Sequence, residues 1–217
     1  MFSDMNTFNQ TQIVVSDVDG TIVRGSLILG HAVSLHRDGM FNFGDLPDKW
    51  SANQKDETLI SELAEAYRSE IRGKTAADIG ADSYINGLVQ NDNNFYSILS
   101  RLQGFRKNGT RVVLISGSPS FLVERFGSHF GFDSVGSDYE LDSDGRFTGN
   151  CRGMFSGDTK REYIAGLGME KYSKVFAFGD TQSDEPLFES ASYSVLVEPN
   201  EVTRAALGHR VNEIVHI

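Results

Sequence analysis

Cysteine is almost missing from this chain. The one present, Cys151, excludes an internal disulfide and suits a reducing cytoplasm. Long apolar runs are missing too. None approaches the ~20 residues of a membrane span, and residues 1–12 are polar, without the apolar stretch of a secretory signal. Positive charge is scarce. Twenty Lys and Arg stand against 30 Asp and Glu, a net charge of −10, which argues against a nucleic-acid-binding surface. There is no internal repeat and no low-complexity segment. What is left is the composition of an ordinary globule, 39% hydrophobic and 23% charged. Its 217 residues suffice for one α/β domain with a small accessory domain and a proper core.

Several motif fragments fail on a missing residue. Glu140-Leu141-Asp142-Ser143-Asp144-Gly145 opens like a calcium loop, but Cys151 stands where the closing glutamate belongs. Asp144-Gly145 is therefore read as the turn of a hairpin spanning residues 139–156. Gly73-Lys74-Thr75 looks like the end of a phosphate-binding loop, but Arg68 replaces the required glycine and a helix precedes it. The Asn9-Gln10-Thr11 and Asn108-Gly109-Thr110 triplets match a glycosylation pattern, which has no meaning in a cytoplasmic chain.

Three short apolar runs end in polar tips. The first, Gln12-Ile13-Val14-Val15-Ser16, reads as a buried strand and runs into Asp17-Val18-Asp19-Gly20-Thr21. Two carboxylates so close repel one another unless a cation joins them. Gly20 lets the chain turn. The second, Arg111-Val112-Val113-Leu114-Ile115, ends in Ser116-Gly117-Ser118-Pro119. Ser118 suits an N-cap and Pro119 a first helical turn, so a hydroxyl and free N–H groups meet where a helix dipole favours an anion. The third, Lys174-Val175-Phe176-Ala177-Phe178, ends in Gly179-Asp180-Thr181-Gln182-Ser183-Asp184. Asp184 falls in the first turn of the next helix, with Ser183 as its cap. Asp180 precedes that cap, so no helix dipole accounts for it. Lys160 lies between the second and third runs, at the start of a helix that reads as a surface helix. Strands alternating with helices, with every polar tip at a strand C-terminus, predict a doubly wound parallel sheet with its site outside those ends.

Taken in order, Asp-x-Asp-Gly-Thr, a strand ending in Ser-Gly, a lysine, and Gly-Asp-x-x-x-Asp resemble the haloacid dehalogenase-like phosphohydrolase superfamily. The resemblance covers about residues 13–199 and is greatest to the phosphoserine phosphatase-like branch, which inserts a helical cap between the first two motifs. It implies an α/β Rossmann-like core from residues 1–24 and 92–217 and a small helical cap, flap included, from residues 25–91. It also implies a Mg²⁺-dependent phosphatase acting on a small phosphorylated metabolite, without nucleic acid or membrane. Asp17 would be the nucleophile, forming an aspartyl phosphate, and Asp19 the general acid and base. Mg²⁺ would be held by Asp17, Asp180 and the backbone carbonyl of Asp19. Ser116, the Gly117 N–H and Lys160 would bind the phosphoryl oxygens, with Asp184 orienting Lys160 or a metal-bound water. A phosphotransferase or mutase would keep the same core residues. A binding protein without turnover is a further alternative, set against the completeness of the motifs.

The insert is read more coarsely. Residues 22–35 form the turn and flap, and residues 40–47 a loop. Residues 48–72 form one helix, with Leu59, Leu63, Tyr67 and Ile71 on one face. Residues 75–90 form a second, weakened by Gly80 and Gly87, and residues 95–107 a core helix. No acid occurs in 22–35, where phosphoserine phosphatases carry a glutamate for the substrate amine, so phosphoserine is doubtful. Phe41, Phe43 and Trp50 either line a substrate pocket or pack the cap. Arg68 and Arg72 either reach a substrate acid or stay solvated. His31 and His36 are assigned no role.

Overall fold

A computed structural model describes residues 12–53, 56–153 and 156–216. Residues 1–11, which include the Asn9 triplet, and residues 154–155 of the segment expected as a hairpin lie outside the described residues. Seven strands form one sheet: β1 (Gln12–Ser16), β2 (Arg111–Pro119), β3 (Asp133–Leu141), β4 (Phe147–Gly153), β5 (Lys174–Gly179), β6 (Tyr193–Val197) and β7 (Glu213–Val215). Their order is β4-β3-β2-β1-β5-β6-β7. Every pair is parallel except β3–β4, the hairpin at one edge, where Gly145 turns with φ +74°.

Both faces of the sheet are covered, so the central strands are apolar throughout. Val14, Val112, Leu114 and Phe178 point to one face, with α5 (Ile98–Lys107) and α6 (Ser120–Phe130). Ile13, Val15, Val113, Ile115 and Ala177 point to the other, with α7 (Gly157–Gly166), α8 (Glu185–Glu189) and α9 (Glu201–Leu207). The chain winds outward from β1 through β2 and β3, then returns to β5 on β1's other side. That reversal opens a crevice at the strand C-termini. Ser16 is level with Leu114 of β2 and Phe178 of β5, so all three motif tips emerge together.

Four helices lie between β1 and β2 ahead of α5: α1 (Leu27–Arg37), α2 (Leu46–Ala52), α3 (Glu57–Glu70) and α4 (Ala81–Val89). They differ from the sequence expectation in three places. The flap segment is largely helix, because α1 begins directly after the Asp19–Val23 bridge. The single helix expected over 48–72 is two. Asp56 breaks it by capping α3, its carboxylate accepting from the N–H groups of Thr58 and Leu59 at 3.0 and 3.2 Å. The helix expected from 75 starts only at Ala81. Thr75 and Asp78 instead close a turn on one another, and Gly80 adopts φ +64°.

Leu63, Tyr67 and Ile71 are fully buried, as the stripe predicted, while Leu59 is only partly covered. They pack with Ile28, Leu29 and Leu35 of α1 and with Phe43 and Trp50. Each such side chain contributes about 1.5–3 kcal/mol of burial. The hairpin joins this cluster through Tyr139 and Phe147, and α4 gives Ala81 and Ile85 to the sheet-side core instead. The insert is thus tied to the sheet at both ends.

Candidate active site

Asp17 is the first residue past β1. Its N–H still donates to the Phe178 carbonyl at 2.9 Å, which places its side chain at the β1–β5 junction. Gly20 makes the turn at φ +79°. A Cβ there would lie 2.2 Å from Asp180 Oδ2, so only glycine lets the first tip close on the third. Thr21 Oγ1 donates to Asp180 Oδ1 at 3.3 Å.

Lys160 sits in the middle. The helix that carries it is capped by Ser156 and Thr159, and one turn later the lysine points inward. Its Nζ donates to Asp17 Oδ1 at 2.7 Å and to Asp184 Oδ1 at 2.6 Å. It is only 2% exposed, so the surface placement expected from sequence is corrected. Burial opposes its charge, but the carboxylates of Asp17 and Asp184 outweigh that and raise its pKa.

Asp184 is fully buried. Its second oxygen accepts from the backbone N–H groups of Asp180 and Thr181, both at 3.0 Å. The cap is Thr181 rather than Ser183, in a capping box with Asp184. Asp184 therefore links the lysine to the loop that presents Asp180.

One oxygen each from Asp17, Asp180 and Asp184 lies within 4.8 Å of the other two. Burial, only partly countered by Lys160 and deepened by Asp184 and Asp19, pushes Asp17 up to about 8. Burial and the charges of Asp17 and Asp184 raise Asp180 well above the carboxylate range. One ammonium does not balance three buried carboxylates. A divalent cation does, and this oxygen donor set fits one.

The Asp19 carboxylate stands apart from that cluster. Its Oδ1 accepts from the Leu27 N–H at 2.5 Å, so the N-terminus of α1 holds it. Its Oδ2 accepts from Ser116 Oγ at 2.7 Å. Ser116 in turn accepts from the Ser118 N–H at 2.9 Å. Ser118 does not cap α6 as expected. Pro119 takes the cap position, and Ser118 Oγ accepts from the Ile28 N–H at 3.2 Å. Gly117 is exposed at this junction, and its carbonyl accepts from Ser137 at 2.6 Å.

The structure thus brings Asp17, Lys160, Asp180 and Asp184 into one cluster, and Asp19 with Ser116 into another beside it. The clamp of Leu27 and Ile28 on the motif tips had no sequence signal, since any residue has an N–H. The aromatic loop is settled: Phe43 and Trp50 are buried in the insert, with Phe41 packed against them. The Arg72 side chain and the Arg68 backbone lie against the hairpin. A Cβ on Gly149 would stand 3.4 Å from the Arg68 carbonyl and 3.6 Å from Arg72 Cδ.

A family model described as haloacid dehalogenase-like hydrolase matches residues 14–189. A histidinol-phosphatase of Neisseria meningitidis serogroup C (strain 8013) is 30% identical over 107 residues, 46% of this chain and 48% of that protein. The match therefore spans about half of that relative's length. A protein of unknown function from Bordetella pertussis Tohama I superposes with a TM-score of 0.74 at 17% identity, over 95% of this chain and 99% of that one. A phosphoserine phosphatase in its apo form superposes with a TM-score of 0.64 at 14% identity, over 94% of this chain and 92% of that one. At such identities these two likenesses are of fold alone.

Proposed function

This chain belongs to the haloacid dehalogenase-like hydrolase family, and from that membership we propose that it is a Mg²⁺-dependent phosphatase acting on a small phosphomonoester through an aspartyl phosphate. One observation carries the reading. A fully buried lysine is held between Asp17 and Asp184 at the mouth of a parallel sheet, with Asp180 completing an oxygen cluster. A charged triad this deep is costly as a structural device. It is suited to a site that receives a phosphoryl dianion and a cation together.

Mg²⁺ would be held by Asp17 and Asp180, with the Asp19 carbonyl as third protein ligand, and supplies charge neutralisation for the phosphoryl oxygens. The chain's own groups do the rest. Lys160 orients Asp17 and pulls its pKa down against the burial that raises it. An Asp17 oxygen bonds to phosphorus as the ester P–O bond breaks, and Asp19 gives its proton to the departing alcohol. Water then attacks phosphorus. Asp19 takes the water's proton, and the Asp17–phosphorus bond breaks to release phosphate.

Ser116 couples these roles. Its hydroxyl carries one proton and gives it to the Asp19 carboxylate in this structure. Once Asp19 is in its acid form, that proton is free for a phosphoryl oxygen, beside the Gly117 N–H. Residues 25–91 act in this scheme as the cap over the site, excluding water from the phosphoenzyme. The whole-protein charge of −10 repels an anionic substrate. Capture of phosphate then depends on the local cation, Lys160 and the junction N–H groups.

The test is direct. Purified protein with Mg²⁺ releases phosphate from nitrophenyl phosphate, and chelator stops the release. Full activity in chelator overturns the metal assignment, and inactivity towards a broad panel of phosphomonoesters with Mg²⁺ overturns the phosphatase reading.

A further inference from the structure

The rim of the site is short of positive charge. Its segments, residues 17–24, 116–120, 156–161, 180–184 and 198–200, hold six carboxylates and three cations. Lys160 is buried between Asp17 and Asp184, so those two carboxylates cancel its charge outside the cluster. Arg161 is paired with Glu189 of α8. The third cation, Arg24, is exposed, and no carboxylate among the described residues is paired with it.

Arg24 is nevertheless held in place. Its guanidinium lies over the Tyr96 ring, 4.4 Å from the centroid, and its Nε donates to the Phe95 carbonyl at 3.2 Å. Its backbone N–H donates to the Asn94 carbonyl at 2.8 Å, and the Tyr96 N–H donates to the Ile22 carbonyl at 2.9 Å. The arginine is thus fixed where the chain leaves the core for the insert and where it returns. A guanidinium held flat in this way loses little further freedom when an anion arrives.

That place is close to the chemistry. Val23 bridges Asp19, and Phe95 bridges Val23. Two strand spacings of about 4.8 Å each therefore separate Phe95 from Asp19, which puts the guanidinium roughly 10 Å from the motif carboxylates. Thr21, in the same turn, reaches Asp180. Glu198, on the neighbouring β6 tip, is set against His216, with Nδ1 to Oε2 at 3.8 Å.

The chain carries −10, so a phosphoryl dianion is repelled until a local cation takes over. We propose that Arg24, fixed on Tyr96, is the cation that steers the anionic substrate into the site. This rests on the phosphatase reading above. Steering needs no contact with the ester, only an unpaired charge within about a Debye length of its path.

A charge ladder at position 24 tests it. Nitrophenyl phosphate hydrolysis is followed with Mg²⁺, and inorganic phosphate, which has no leaving group, serves as a competing inhibitor. A unit charge ~10 Å from a dianion in water is worth about threefold at ~10 mM ionic strength. Arg24→Gln therefore lowers kcat/KM about threefold, Arg24→Glu about tenfold, and Arg24→Lys stays within about twofold of the wild type, all with kcat unchanged. The Ki of phosphate rises by the same factors. At ~1 M salt, where the Debye length is about 3 Å, all four proteins converge to within about 1.5-fold.

Equal losses for Arg24→Lys and Arg24→Gln overturn the inference, because a packing role would not follow charge. Losses that persist at high salt, losses in kcat, or a phosphate Ki unmoved by Arg24→Gln overturn it too. Those outcomes leave an active phosphatase. A wild type that hydrolyses no phosphomonoester sinks the phosphatase reading and this inference with it.

Discussion

The two sides of the site are built from opposite chemistry. The strand-tip side is charged and over-supplied with carboxylates: Asp17, Asp180 and Asp184 surround one buried lysine. The insert side is polar but neutral: Tyr84, His31 and Tyr67, with α1 presenting backbone N–H groups. Charge on the first side has to be balanced by what binds there. The second side carries no charge that a ligand has to balance. Asp19 belongs to both. It hangs from the α1 N-terminus and from Ser116 of β2.

The contrast is broken most severely from the charged side. Asp17→Asn removes the nucleophile and nearly no volume. Turnover should fall by ~10⁴-fold or more while the fold persists, because neutralising one of three crowded carboxylates relieves repulsion. The stereochemical course at phosphorus, followed with a chiral isotopically labelled phosphomonoester, checks the route in the wild type, because two in-line displacements give overall retention. Inversion would replace the covalent path by direct attack of water.

Asp19→Asn tests the shared residue. The amide oxygen can still accept from the Leu27 N–H and its NH₂ can donate to Ser116 Oγ, so the clamp is kept while proton transfer is lost. The expected loss is on the order of 10²–10⁴-fold for alkyl esters. It should be smaller for nitrophenyl phosphate, whose leaving group departs without a proton. Equal losses on both would show that Asp19 serves position and not proton transfer.

The neutral side is probed most gently, through pH. Folded His31 has a pKa of about 4 against an ordinary 6.5. As pH falls from 6.5 towards 4 the unfolded chain takes up a proton that the folded chain refuses, so stability is present above about 6.5 and lost below it. The loss from pH 7 to pH 5 is about 2 kcal/mol. Asp17 and Asp180, raised by burial, bind protons in the folded state and oppose this trend. The difference between wild type and His31→Gln in urea unfolding isolates the histidine. An identical pH response in both would mean that folded His31 takes up its proton as readily as the unfolded chain does.

The charged side was readable residue by residue, and the neutral side was not. Asp17 and Asp180 announce themselves because a carboxylate at a buried strand end needs a reason. Gly20 announces the turn after the first strand. Lys160 did not, because a lysine at a helix start is ordinarily solvated and nothing local says which way it points. In the insert, the Leu63, Tyr67 and Ile71 stripe was legible from its period. The new helix start at Asp56 was lost in that stripe, since a capping aspartate inside a long polar stretch looks like any surface acid. His31 and Tyr84 had no pattern at all, being 53 positions apart along the chain.

What the sequence determined by itself follows from local rules: apolar runs for strands in a sheet covered on both faces, glycines where the backbone turns left-handed, and an ordered set of carboxylate tips that marks the family. Tertiary structure alone decided the depth of Lys160, the α1 clamp on Asp19, and the seat of Arg24 on Tyr96. Those depend on which distant segments share a small volume. A backbone N–H from α1, a hydroxyl from β2 and a guanidinium laid on the returning chain acquire their meaning only when the insert closes on the strand tips, and no local periodicity encodes that approach.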